Sequence, residues 1–172
     1  MAKINLPIVV LNLIICLILT GCKNNNGENL MSIGYRAQQI NNEVMSCIEN
    51  DNSEALKEMF CKKVLDAYPN IDDDIEQFFE FIDGNIVSYK KPIYSEDGSK
   101  KDGEWIKYRS DPQIYGIITD TNKEYNLIYY NILVCKDDPD RIGISEMVIT
   151  EEDTNLSCKI GDVYLANPEL KH

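Results

Sequence analysis

Histidine is almost missing from this chain of 172 residues, occurring once, as His172. A Ser-His or Cys-His pair needs an imidazole beside its nucleophile, so catalysis of that kind is not expected. There is no G-x-S-x-G, no glycine-rich phosphate loop and no H-E-x-x-H. Their absence removes the hydrolase elbow, the nucleotide cradle and the zinc-protease helix. There is no C-x-x-C either, which argues against a zinc knuckle and a thioredoxin-type redox site. Basic residues are scarce, 17 against 29 acidic, for a formal charge of −12. Nucleic-acid phosphates demand basic patches, so a nucleic-acid partner is not expected. A long hydrophobic run is also lacking. The apolar stretch from Ile4 to Leu19 is interrupted by Asn5, Pro7 and Asn12. It is shorter than the ~20 residues that span a bilayer as a helix.

That short run has a different reading. Only Lys3 is charged before it, and small residues follow it, as in a secretory signal. Leu19-Thr20-Gly21-Cys22 fits a lipobox, in which a branched apolar residue and two small ones precede a Cys. The thiol would take a diacylglyceryl group, and Cys22 would become the new N-terminus. Each buried methylene contributes about 0.8 kcal/mol, so two or three palmitate-like chains make a lasting anchor. Residues 1–21 are thus read as a lipoprotein signal peptide and 22–29 as the lipidated Cys and its tether. Residues 30–172 are read as one domain. The expected location is the cell membrane, lipid-anchored, on the extracytoplasmic face. Without residues 1–21 the formal charge becomes −13. This acidity reads first as a solvated exterior, and secondarily as a face for cationic or metal-bearing partners.

Four further cysteines, Cys47, Cys61, Cys135 and Cys158, sit in the expected domain. The compartment permits a disulfide among them, with the pairing open. Cys47 and Cys61 also read as buried thiols on apolar helical faces.

Three helices are expected first. Ile33, Ala37, Ile40, Val44, Cys47 and Ile48 recur at helical steps from about Leu30. Ser53 is read as the cap of a second helix carrying Ala55, Leu56, Met59, Phe60, Val64 and Leu65 on one stripe. Glu54–Lys57 and Glu58–Lys62 are its expected outer pairs. Ile71, Ile75, Phe78, Phe79 and Ile82 make the third. Asp72, Asp73 and Asp74 complement its dipole, a reading preferred over a metal site. Gly84 is its expected stop.

The remainder reads as antiparallel strands. Asn85–Tyr94 is the first, and Ser95–Asp102 is a polar loop. A second β region, Glu104–Arg109 and Gln113–Thr119, is broken at Asp111-Pro112. Glu124–Lys136 and Arg141–Thr150 are long strands, and Cys158–Leu165 is a short final one. The fold class is therefore α+β, with three N-terminal helices packed on a curved antiparallel sheet of about four strands.

Met59-Phe60-Cys61-Lys62-Lys63, residues 71–89 (IDDDIEQFFEFIDGNIVSY) and residues 132–145 (ILVCKDDPDRIGIS) carry a resemblance. They resemble a family of small bacterial lipoproteins with the domain of unknown function numbered 5104. The resemblance covers about residues 30–150. It implies a nuclear-transport-factor-2-like fold, a cone of helices on a curved sheet, and no established activity. No catalytic residue is implied, and neither a cofactor nor a metal is expected.

A pocket inside such a cone is the remaining candidate for function. Alternation puts Tyr125, Leu127, Tyr129 and Asn131 on one face of the longest strand. Tyr129 and Asn131 are candidate pocket residues, with Glu146 as a candidate acid and Trp105 as a stacking residue. The competing reading makes the tyrosines core aromatics with hydroxyls satisfied at the rim. Asp138-x-Asp140 reads as a turn, because a calcium loop would need oxygen ligands where Ile142 and Ile149 stand. The leading expectation is a non-enzymatic, membrane-tethered domain that binds a ligand or protein. The alternatives are a small enzyme using a carboxylate and a Tyr in the cone, or an inhibitor or immunity-type lipoprotein. A homodimer through the open sheet face is a further expectation.

Overall fold

The computed structural model describes residues 30–170. The signal segment, Cys22, the tether and His172 lie outside the described residues. Helix α1, Leu30–Glu49, buries Ile33, Ala37, Asn41, Val44, Met45, Cys47 and Ile48. These positions keep returning to one side at 3.6 residues per turn. No described helix is long and apolar enough to cross a membrane.

The expected second helix is two short ones, α2 at Ser53–Glu58 and α3 at Lys62–Ala67. Asn52, not Ser53, is the cap, its side chain accepting from Ala55 N at 3.1 Å. The chain breaks at Met59–Cys61 although no Gly or Pro stands there. Its backbone instead joins a distant strand: Cys61 N donates to Ile144 O at 2.8 Å, and Ile144 N donates to Met59 O at 2.9 Å. Gly143 permits that approach. Its φ is +122°, and a Cβ there would lie 2.9 Å from Cys61 N. The expected outer pairs also differ. Lys57 reaches Asp72 at 2.5 Å and Lys62 pairs with Asp66.

Helix α4, Ile71–Phe81, buries Ile71, Ile75 and Phe78. Of its acidic triplet, Asp72 pairs with Lys57, and Asp74 accepts from Tyr68 Oη at 2.6 Å. Among the described residues, no group of three acids, cysteines or histidines is arranged to hold a metal. The helix stops with Ile82 as its cap, two residues before the expected Gly84, whose φ is +88° and where a Cβ would lie 2.3 Å from Asp120.

Six strands follow: β1 Ile86–Ser88, β2 Ile93–Lys101, β3 Glu104–Thr119, β4 Glu124–Cys135, β5 Gly143–Glu151 and β6 Ser157–Gly161. They form one open antiparallel sheet in the order β1-β3-β4-β5-β6, with β2 also pairing with β3. A short helix α5, Val163–Ala166, closes the domain. The described residues thus form a mixed α+β structure of five helices and six strands, more of each than expected.

Four expectations about strands are corrected. Asn85–Tyr94 is not one strand, since β1 ends at Ser88 and β2 begins at Ile93, and the final strand stops at Gly161 before residues 163–165 turn into α5. Ser95–Lys101 is strand rather than loop, because its backbone pairs with β3 residue by residue, Glu96 with Ser110 and Asp97 with Arg109. Its side chains are almost all exposed, so no alternation announced it. Asp102 and Gly103, both with positive φ, make its turn. Asp111-Pro112 does not break β3 either. β3 and β4 pair on both sides of it, Arg109 opposite Ile132 and Gln113 opposite Ile128. Pro112, which has no N–H, sits in the gap.

Two apolar clusters join the layers. The larger brings Val44, Ile48, Leu56 and Phe78 from the helices onto Ile114, Leu127, Met147 and Ile149 of the sheet. The smaller sets Ile33 and Ala37 of α1 on Tyr108, Leu133 and Val134, with Tyr94 and Trp105 at its edge. Cys47, Cys61, Cys135 and Cys158 are free thiols.

Candidate functional site

The site is a groove between the first half of α1 and the far end of β4. Arg36, Ile40 and Glu43 recur at helical spacing, so one face of α1 lines it. Two adjoining cavities share Arg36, Leu133 and Ile142. One, of about 550 Å³, adds Glu104, Trp105 and Lys136. The other, of about 300 Å³, adds Met59, Phe60 and Asn131. Lys136 closes one side by pairing with Glu104 at 2.6 Å, which holds that carboxyl below its ordinary range. Arg36 has no ion pair among the described residues, in a chain where most other cations have one.

Trp105 is half-buried at the groove. Lys100 Nζ lies 4.3 Å from its ring centroid, and the Tyr108 ring meets it edge-on at 4.7 Å. Its Nε1 is enclosed without a hydrogen-bond partner, as are Tyr94 Oη and Ser110 Oγ nearby on β2 and β3. Asn131 is buried and lines the second cavity. Thus Trp105 lines one of the two adjoining cavities and Asn131 the other.

The other two sequence-derived candidates lie elsewhere. Tyr129 is sealed beneath α1 at 0% exposure, and its hydroxyl donates to Asn41 Oδ1 at 3.3 Å. Burial pushes its hydroxyl well above the ordinary tyrosine range. Glu146 faces β6 and α5. It accepts from Val163 N at 3.2 Å and from Lys159 Nζ at 3.4 Å, and so holds the start of α5.

The acid that matters near the groove is one that sequence reasoning passed over. Asp111 is 4% exposed. Its Oδ1 accepts from Asn131 N at 3.1 Å, where Pro112 interrupts the ladder. Arg109 Nε lies 2.9 Å from its other oxygen. Burial pushes the Asp111 carboxyl up to about 6, with the Asp97 charge adding, while Arg109 and the Asn131 amide pull it down. The signal was the Asp-Pro pair inside an otherwise strongly β sequence. It reads as a break, yet the carboxylate replaces a missing backbone partner.

Comparison with known proteins places these elements. No curated protein matches the chain. A family model does, over residues 43–152, described as a domain of unknown function (DUF5104). The matched span runs from the last turns of α1 to the end of β5 and holds Trp105, Asp111 and Asn131. More than half of the chain is covered, and the chain belongs to the DUF5104 family.

Proposed function

We propose that this is a lipid-anchored domain, attached through Cys22 to the outer face of the cell membrane. It binds a ligand or partner in the groove beneath α1 and is not an enzyme. In this reading the helices and bent sheet form a cone of the nuclear-transport-factor-2-like kind. The observation that carries the binding role is a pair of adjoining cavities that share Arg36, Leu133 and Ile142, one lined by Trp105 and the other by Asn131 and Ile40. An aromatic face beside a few polar groups in an apolar wall suits recognition of a small molecule or a short segment.

The test is mass spectrometry of the full-length chain taken from membranes in mild detergent, native and then denatured. A co-purified mass lost on denaturation, and absent from Trp105→Ala, supports the groove. A bare protein mass, with partners captured equally by wild type and Trp105→Ala, sinks it. Metabolic labelling with palmitate tests the anchor: label is expected on wild type and not on Cys22→Ala.

One observation favours the enzymatic alternative, the raised pKa of Asp111. Geometry weighs against it. Both Asp111 oxygens are engaged by Arg109 and Asn131, and the side chain is closed to solvent. A buried carboxylate that fills a gap in a ladder is a structural part before it is a proton donor.

A further inference from the structure

A second surface runs along the free edge of the sheet. β1 pairs with the end of β3, Ile86 opposite Thr119, and β2 pairs further back, Ile93 opposite Gln113. Between them Lys90 N donates to Tyr115 O at 3.2 Å. Residues 86–94, IVSYKKPIY, therefore follow one edge. Along it Val87, Tyr89 and Ile93 are exposed, at 62%, 39% and 61%. Ile86 packs against the larger core cluster, so Val87 turns to the opposite side. Ile93 likewise turns away from Tyr94, which packs on the smaller cluster under α1.

The charge of this edge runs against that of the chain. No acid occurs between Asp83 and Glu96, while Lys90 and Lys91 stand exposed. Neither has an ion pair among the described residues, whereas Lys57, Lys107, Lys123 and Lys136 each have one. Residues 113–119 of the neighbouring strand are uncharged. Lys90 has a seat there. Gly116 has φ +62°, and a Cβ on it would lie 3.0 Å from the Lys90 stem. Lysines and a proline on an edge discourage a further strand, so Lys90, Lys91 and Pro92 disfavour a peptide or a second copy added to the sheet. Edge protection accounts for those three residues but calls for no exposed Val, Tyr or Ile.

We infer that this edge rests on an anionic phospholipid surface, with Val87, Tyr89 and Ile93 at the headgroup level and Lys90 and Lys91 on the phosphates. The inference rests on the lipid anchor proposed above at Cys22. Eight residue steps separate Cys22 from Leu30, a reach of at most about 28 Å. Tyr94 packs on the cluster that holds Ile33 and Ala37, in the first turns of α1, so the edge begins close to the start of the domain. An anchored domain meets the bilayer intramolecularly, and a weak contact then suffices. Tyrosine and lysine suit that depth, because their apolar bodies sink while their polar tips stay wet. The acids elsewhere on the domain do not forbid it, since physiological salt screens exposed charges beyond ~8 Å.

The test is hydrogen exchange read by mass spectrometry on the full-length chain, lipidated at Cys22, in phosphatidylcholine nanodiscs with or without phosphatidylglycerol. With phosphatidylglycerol, exchange across residues 86–94 is expected to slow on the order of ten-fold, and the protection to fade as salt rises. Lys90→Gln/Lys91→Gln is expected to lose it, and so is Val87→Ser/Ile93→Ser, with thermal melts unchanged. The charge-matched Lys63→Gln/Lys101→Gln is expected to keep it. Equal exchange in the two discs, or equal loss in the two lysine variants, overturns the proposal. Protection that appears in detergent and grows with protein concentration assigns the edge to a second copy and also overturns it. The anchor is judged separately, by the lipid mass on Cys22. Should that mass be absent, flotation of the unlipidated chain with phosphatidylglycerol vesicles decides. Flotation that requires Lys90 and Lys91 upholds the docking, and no flotation overturns it.

Discussion

The two ends of the layer between helices and sheet differ in kind. Under the second half of α1 and α4 the interface is dry. Val44, Leu56, Phe78, Ile114 and Leu127 are all at 0% exposure. Under the first turns of α1 the same sheet holds Tyr94, Trp105 and Ser110 with enclosed, unpartnered polar atoms, and a buried Asp111 alongside. Buried polar groups usually find partners, so their clustering at one end is informative. The dry end carries stability, and the polar end gives up stability where the groove is.

The sharpest way to break that contrast is Phe78→Ala. Truncating a fully buried Phe costs about 3–5 kcal/mol, and urea unfolding should show it. A loss below about 1 kcal/mol would mean the dry end is not the main support.

The pH response of Asp111 comes next. Its carboxyl, ordinarily near 3.8, titrates near 6 when folded, so the folded state holds that proton more tightly. Its contribution to stability is fully present below about pH 4 and is lost as pH rises through 6. Wild type should therefore gain about 1 kcal/mol relative to Asp111→Asn on going from pH 7 to pH 5. Glu169 works in the opposite sense. Despite burial, hydrogen bonds from Lys107 and Arg141 help hold it down to about 2, so its contribution is present above about pH 5 and is lost progressively as pH falls toward 2. A pH series that runs parallel for wild type and Asp111→Asn would remove Asp111 from the account.

Tyr129→Phe sharpens the contrast at the boundary between the two ends. It removes one hydroxyl bonded to Asn41, worth about 0.5–1.5 kcal/mol. Calorimetric melting measures that loss directly. Ser110→Ala should have the smallest effect, between no change and a slight gain, because it deletes a hydroxyl that has no partner. A loss above about 1 kcal/mol would show that the hydroxyl is satisfied after all.

Some of this architecture was legible in the residues. The stripe of Ile33, Ala37, Val44 and Ile48, and the apolar faces of α4 and β4, announce themselves because burial follows period. β2 did not, since Ser95, Glu96 and Asp97 are strand by backbone pairing with no buried face. Asp111-Pro112 read as a break because local propensity knows nothing of an amide on Asn131 waiting for an acceptor. Trp105 and Asn131 were legible as pocket candidates, and each lines one of two adjoining cavities. Arg36 was not, because one exposed Arg on an amphipathic helix has no signature of its own. Tyr129 and Glu146 sit on core-forming strands, but only packing reveals which way each is enclosed.

The bridge between Phe60 and Ile144 has a consequence for the order of events when the chain first folds. Nothing in residues 53–67 ends a helix at Met59, so the break is made by β5, some eighty residues later. A growing chain has no β5, and so has nothing to hold the break at Met59–Cys61. Two helices of six residues are too short to persist unaided. Their separation therefore marks completion of the domain: the break is held only once the far strand arrives.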